Sequence, residues 1–312
     1  MVEKLRNYGI VAVFATLFII LSFASQSFLS PRNGANILDQ SSILIILATT
    51  STLCIIAGIF DLSIAAVGTG SAIMTVHAVN QFGLAGMIGG ILFGALLGYI
   101  TGIAIVSTNV SNFIGTLAAS FTYRGLGLIL ASGGMVTINN PETAETMLGI
   151  FEGRLFGLKG AVYVSLTFAI IVGLALSKTV WGKKVYAVGG NAQAAYLAGI
   201  RPNRILISVY VVSGIGAGLA GVIYAGRYGT AATNSYSDTA AFTAIAAAVV
   251  GGVSVFGGTG AIWRGVLGIL TFALIGNGLN LLGVDTTYQL TILGLLIFAA
   301  VAADQIFRRK KA

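Results

Sequence analysis

The sequence predicts an all-α, polytopic membrane protein with about ten transmembrane helices and both termini in the cytoplasm. Three observations lead there. Only 8% of the 312 residues are charged while 56% are hydrophobic, against roughly 25% charged in a soluble domain. Apolar runs of about 20 residues, the length that crosses a bilayer, recur along the chain. Lysine and arginine collect at three places that fall on one side of the membrane if the span count is even. Such a composition cannot cover a water-facing surface, so a soluble enzyme is excluded. Cys54 is the single cysteine, which excludes a disulfide scaffold.

Taken in order, the expected spans are 10–29, 43–60, 62–80, 83–107, 112–132, 160–178, 204–226, 239–256, 262–283 and 287–303, in a single domain, 1–312. The first runs about 20 residues from Ile10 without a small-x-small cut site, so it reads as an anchor and not a cleaved leader. The third and eighth are rich in Gly, Ala, Ser and Thr. Each is either a full span enclosed by protein or a half-helix. In the fourth, Gly86, Gly90, Gly94, Gly98 and Gly102 recur every fourth residue. They form a stripe that a neighbouring backbone can approach. Ala217, Gly221 and Ala225, beside Gly214 and Gly218, repeat the device in the seventh.

Lys4 and Arg6 precede the first span. Lys178, Lys183, Lys184, Arg201 and Arg204 lie around a loop at about 179–203, and Arg308, Arg309, Lys310 and Lys311 follow the tenth span. These eleven of the 17 basic residues mark the cytoplasmic side. An outer loop at about 133–159 balances Arg154 and Lys159 against Glu142, Glu145 and Glu152. The positive charge is thus topogenic, and nucleic acid is not an expected partner.

Catalytic constellations are missing. His77 is the sole histidine, which removes His-based metal sites and most triads and leaves a packed or interfacial residue. Gly182-Lys183-Lys184 lacks the upstream glycine and the Ser/Thr of a P-loop. The chain is therefore not expected to be an enzyme or to hold a cofactor or metal, and any ATP hydrolysis falls to a partner chain. Asp61, where spans two and three meet, suits a helix cap or a pore residue. Arg124 lies inside span five, able to snorkel or to pair with a carboxylate. In the cytoplasmic loop Asn191 is a good N-cap, 192–198 are strong helix formers, and Gly199 is a stop. This short, small-faced helix suits either insertion into a partner's groove or simple connection.

At that loop, Gly182 to Ile200, the sequence resembles the coupling-loop motif of permeases of binding-protein-dependent ABC importers of the ribose/xylose/arabinose type. Asp61-Leu62-Ser63, Phe113-Ile114 with Thr116-Leu117, Tyr123-Arg124-Gly125, Gly251-Gly252 with Gly257-Gly258-Thr259-Gly260, and Asn277 to Leu282 with Gln289 are similar to that family's further blocks in order and spacing. There are departures. Ile64-Ala65-Ala66 follows where Val-Gly-Ser is usual, Ser111-Asn112 replaces a common Pro-Pro, and Thr101 a frequent Asn.

The resemblance implies an inner-membrane permease subunit of a bacterial importer, forming the pathway for a neutral solute such as a monosaccharide. It implies cytoplasmic ABC ATPases, a second permease copy or paralogue, an extracytoplasmic solute-binding protein and membrane lipid as partners. ATPase coupling is expected at Gly189, Asn191, Ala194, Ala195, Gly199 and Ile200. The pathway is expected along Asp61, Ser63, Asn112, Phe113, Thr116 and Asn277, polar or ring-bearing positions in or beside apolar spans. The alternatives are a related permease for branched-chain amino acids or nucleosides, and a proton-coupled carrier, which would need intramembrane ionisable groups.

Overall fold

The computed structural model describes residues 2–285, with 2–8 as backbone alone, and beyond them 287–289, 291, 292, 294, 295 and 298. Most of the expected tenth span and the basic tail at 308–311 lie outside the described residues. Twelve helices are described: α1 (Val2–Ala24), α2 (Pro31–Ile56), α3 (Ile64–Phe82), α4 (Gly86–Thr108), α5 (Asn112–Leu130), α6 (Pro141–Glu152), α7 (Gly160–Lys178), α8 (Val180–Gly190), α9 (Ala192–Leu197), α10 (Pro202–Tyr228), α11 (Asp238–Val250) and α12 (Ile262–Leu281). Among the described residues six apolar runs are long enough to cross a membrane. One of these, Ile64–Thr108, is the two helices α3 and α4, which meet at a turn where Gly83 takes φ +60°.

α2 and α3 form the middle of the molecule. Ser30 caps α2 through its side chain, with Pro31 at the first helical position. Residues 45–57 are buried without interruption. α3, the weakly hydrophobic third segment, is a 19-residue helix buried from Ile64 to Ile73. Protein, not lipid, surrounds it. α11 differs. It stops at Val250 after 13 residues, about 20 Å of helix, because Gly251 and Gly252 open a glycine-rich loop that runs to α12. The eighth segment is therefore a half-helix, with non-helical backbone after it.

The glycine stripe of α4 does what its spacing predicts. A Cβ on Gly94 would lie 2.4 Å from the Gly214 carbonyl oxygen, and one on Gly98 2.2 Å from that of Tyr210. α4 and α10 thus touch through their backbones. On the other side of α10, a Cβ on Gly221 would stand 2.6 Å from the Gly68 carbonyl oxygen of α3.

The expected outer loop is more structured than an all-α reading allows. Strand β1 (Met135–Thr137) pairs antiparallel with β4 (Thr230–Ala232), and β2 (Arg154–Leu155) pairs with β3 (Leu158–Lys159). α6 lies between, started by Asn140, whose side chain accepts from the Glu142 and Thr143 N–H groups. His77 is a packed residue, with Nε2 2.9 Å from the Leu130 carbonyl oxygen at the end of α5.

Candidate translocation and coupling site

The turn between α2 and α3 holds Asp61, which is 4% exposed. Its Oδ1 accepts from the Ser63 N–H (2.9 Å) and Ser63 hydroxyl (2.6 Å), and its Oδ2 accepts from the Ser213 hydroxyl of α10 (2.8 Å). Asp61 is not the N-cap of α3. That position belongs to Ser63, which makes no side-chain cap bond. The carboxylate instead closes a local turn onto Ser63 and pins that turn to α10. Among the described residues it is held by hydroxyls and one N–H, with no cation.

The start of α5 packs on the same turn. The Thr116 hydroxyl donates to the Asn112 carbonyl (2.8 Å) and lies 3.3 Å from that of Phe60. The Asn112 side-chain oxygen accepts from the Tyr210 hydroxyl at 3.4 Å. Phe113 is 49% exposed and Ile114 60%, so α5 turns an apolar face outward there. Asp61, Ser63, Asn112 and Thr116 are therefore brought together, with Phe113 at their margin.

Asn277 stands apart. Its amide exchanges two hydrogen bonds with Asn33 (2.9 and 2.8 Å), tying α12 to the beginning of α2. Asn33 and Ile56 are separated by about 35 Å of helix. Tyr210 and Ser213 join the site without having been expected. They sit in a span whose Gly and Ala pattern reads as packing, so their facing could not be read from spacing.

Across α2's far end lies the 179–203 segment. Its first half is a helix, α8, that the sequence does not predict, because Gly182, Gly189 and Gly190 mask it. α8 is anchored by Trp181, whose Nε1 donates to the Ser208 hydroxyl (2.8 Å), and by Tyr186, whose hydroxyl donates to the Gly260 carbonyl (2.8 Å). α9 follows as expected. Asn191 accepts from the Ala194 N–H (2.9 Å), and Gly199 closes the helix at φ +82°, with the Ile200 N–H donating to Ala195 (3.0 Å). Of the expected coupling residues, Asn191, Ala194 and Gly199 are exposed and Ile200 is half-buried, whereas Ala195 is turned into the protein. Tyr196 and Leu197, 63% and 78% exposed, give α9 an outward apolar tip that the small-residue pattern hid.

Gly189 faces inward. A Cβ there would lie 1.9 Å from the Ile56 carbonyl oxygen and 2.9 Å from the Gly258 nitrogen. One on Gly257 would meet the Gly189 carbonyl oxygen at 2.5 Å and the Gly58 Cα at 2.8 Å. The Gly258 N–H donates to the Ile56 carbonyl at 2.9 Å. Gly58, Gly257 and Gly258 all take positive φ, which non-glycine residues rarely adopt. Four glycines thus join the end of α2, the end of α8 and the loop after α11 by backbone contact alone. Two residues further on, in chain order from Ile59, stands Asp61.

At the opposite end of α2 is a cluster of charges. Glu152 pairs with Lys159 and Arg227, and Asp39 accepts from Arg154 Nη2 (3.3 Å) and the Lys159 N–H (3.3 Å). Burial raises the Glu152 carboxyl's affinity for a proton, but the bonds and charges of Lys159 and Arg227 outweigh it and hold the group below the ordinary carboxylate range.

The family of permease components described as the branched-chain amino acid transport system matches residues 33–301. The chain belongs to this family. It is 34% identical over 311 residues to the D-allose transport system permease protein AlsC of Escherichia coli (strain K12), covering 98% of this chain and 93% of that protein. It is 33% identical to the L-arabinose ABC transporter permease protein AraH of Azospirillum brasilense (99% and 90% covered), and 35% identical to the ribose import permease protein RbsC of Bacillus subtilis (strain 168) (95% and 91%). As a member of a permease family it is a multi-pass membrane protein, and the backbone joint at Gly189 and the Asp61 turn are features of one permease chain.

Proposed function

We propose that this permease forms the pathway of a binding-protein-dependent ABC importer for a neutral monosaccharide in a bacterial inner membrane. Two permease copies or paralogues enclose the pathway, cytoplasmic ATPases drive it, and an extracytoplasmic binding protein delivers the sugar. The 179–203 segment and both termini face the cytoplasm, in a topology of about ten spans. The observation that carries this reading is the α8–α9 hairpin. Its tip offers Ala194, Tyr196 and Leu197 to a partner, while its root is joined through Gly189 to the turn that holds Asp61. A push on α9 is thereby delivered to the α2–α3 turn, which adjoins Asn112, Phe113 and Thr116. The scarcity of charge along the spans suits a neutral polyol, and no ionisable group is required to change protonation in the cycle.

The test is uptake into proteoliposomes holding permease, ATPase and binding protein, with an uncoupler present and internal ATP held constant. D-ribose, D-allose and L-arabinose are supplied in parallel with L-leucine. ATP-dependent accumulation of a sugar is expected. Accumulation that collapses with the proton gradient refutes the ABC reading, and accumulation of leucine alone refutes the sugar. Ala194→Trp and Leu197→Asp are expected to leave the permease in the membrane but to lose co-purification with the ATPase. Gly199 is unsuited to this test, because its φ of +82° would strain any side chain.

A further inference from the structure

The β2–β3 hairpin breaks the rule of its own turn. Only Phe156 and Gly157 stand between the paired residues Leu155 and Leu158, and both take positive φ, +49° and +87°. A two-residue turn of that kind favours Asn-Gly. A bulky side chain at positive φ is an outlier, because its Cβ crowds the backbone. Phe156 nevertheless occupies the position and is 93% exposed. Neither the preference of the backbone nor packing among the described residues accounts for a phenyl ring there.

We infer that Phe156, with Leu155 beside it, is an anchor that enters the headgroup boundary of the bilayer next to α7. The length of α7 sets the height. Its 19 residues, Gly160–Lys178, rise about 28 Å, close to the ~30 Å of a bilayer's hydrocarbon core. A span with no turn to spare must begin at the boundary, and the hairpin runs directly into Gly160. This placement does not depend on which leaflet is the outer one.

The side of α7 is fixed as well. Tyr163, Thr167, Ile170, Ile171 and Leu174 follow i, i+4, i+7, i+8 and i+11, one face of the helix. The last three are exposed among the described residues. They are large and aliphatic, whereas the close helix contacts of this molecule are made by glycine, so the stripe suits lipid. Tyr163 heads it, and its hydroxyl donates to the Leu155 carbonyl. That bond holds the hairpin above the lipid-facing stripe. A phenol with its ring toward the span and its hydroxyl toward polar backbone is what an interface favours.

The hairpin is mounted stiffly. Arg154 Nη1 donates to the Gly157 carbonyl (2.9 Å), and the Gly160 N–H donates to the Gly153 carbonyl (3.1 Å). A Cβ on Gly160 would lie 1.7 Å from the Ile150 carbonyl oxygen, so the root of the hairpin is pressed onto α6. An anchored tip therefore fixes the height of α6, and through Arg154 and Asp39 that of the start of α2.

The test is the depth of the tip. Cys54, the only cysteine, is buried and stays unlabelled. A nitroxide is placed on Phe156→Cys, on Leu155→Cys and, as the aqueous reference, on Glu145→Cys, an exposed position of α6. The full chain is set in phosphatidylcholine nanodiscs without binding protein or ATPase. Collisions of each spin with oxygen, which concentrates in lipid, are compared with collisions with a water-soluble nickel chelate. Labels at 155 and 156 should favour oxygen, and the label at 145 the chelate. Phe156→Asn suits the turn better, so the melting temperature in detergent should hold or rise, while the label at 155 in that background should shift toward the chelate. Labels at 155 and 156 as open to the chelate as the one at 145 overturn the inference. So do labels shielded from both probes, which place a second copy on the tip, and labels that pass from chelate-exposed to shielded when a solute-binding protein is added. A label at 155 that Phe156→Asn leaves unmoved, or a melting temperature that this variant lowers, overturns it too, since the ring would then serve the fold and not the membrane.

Discussion

Gly189→Ala is the sharpest probe of the joint between α8 and α2. The added Cβ would lie 1.9 Å from the Ile56 carbonyl oxygen, 2.9 Å from the Gly258 nitrogen and 3.0 Å from the Ala57 carbonyl carbon. Every one of these is backbone, so no side chain can rotate away. To reach ordinary contact the end of α8 must retreat by about 1.5 Å, since relaxed Cβ contacts begin near 3.4 Å. That retreat loosens the Gly258 N–H bond to Ile56 and the Tyr186 bond to Gly260. With each of the two bonds worth about 0.5–1.5 kcal/mol and overpacking about 1–3 kcal/mol, the cost is roughly 2–6 kcal/mol. Gly190→Ala is the matched control. Its Cβ would lie 3.8 Å from Gly258 Cα, and alanine favours a helix over glycine by about 0.5–1 kcal/mol. In detergent, Gly189→Ala should melt about 5 °C or more below wild type, with Gly190→Ala at or slightly above it. In proteoliposomes the first should lose ATP-driven uptake and the second keep it. Equal melting and equal uptake for the two variants would refute the backbone joint.

Asp61→Asn keeps an oxygen for the Ser63 N–H and hydroxyl and asks the Ser213 hydroxyl to accept where it now donates; uptake should fall modestly without a new pH dependence, whereas Asp61→Ala, which strands three donors at about 1 kcal/mol or more each, should lower both yield and melting temperature. Because the Glu152 carboxyl is held below its ordinary value of 4.5, its ion pairs contribute stability fully above that value and lose it as pH falls through the lower folded value. The melting temperature should therefore be flat from pH 8 to about pH 5 and drop beneath pH 4, and Glu152→Gln should flatten the acid limb. The Asn33–Asn277 pair should show strong coupling: Asn277→Ala alone costs about 1–3 kcal/mol by orphaning the Asn33 Oδ1, while the Asn33→Leu/Asn277→Leu double variant should recover most of that loss and stay below wild type by about the one bond that Asn33 Nδ2 gives the Phe28 carbonyl.

The sequence carried the membrane class, most helix positions and the meaning of the α4 stripe, because hydropathy and four-residue spacing are local and periodic. It carried Asn191 and Gly199 as the ends of α9 for the same reason: caps are read from single residue types. It did not carry α8, whose glycines resemble a loop until Leu176, Ile56 and Gly258 are seen pressed against them. It did not separate Asn277 from Asp61 either. Both are polar residues in apolar surroundings, and only tertiary packing shows that one clamps α12 to α2 while the other closes a turn. Ala194 and Ala195 look equivalent in the sequence, yet one is exposed and the other buried, since the face of a six-residue helix depends on what lies beneath it. The segment 239–256 reads in the sequence as either a full span or a half-helix, and only the structure, which ends α11 at Val250, decides between them.

The contact of α4 with α10 has a mechanical corollary. Where two helices mesh through side chains, they can slide by letting rotamers give way. Here the Gly94 Cα sits against the Gly214 carbonyl and Gly98 against Tyr210's, and neither has a rotamer to change. Sliding one helix past the other would drive carbonyl into Cα before the next glycine came into register, about 6 Å along. With α3 locked onto α10 by Gly221 in the same way, these three helices can travel only as a rigid slab. The slab enters α3 from the turn Ala57 to Ser63, where the positive-φ Gly58 is pressed against Gly189 and Gly257, so a displacement of α8 reaches the slab through backbone at that one point.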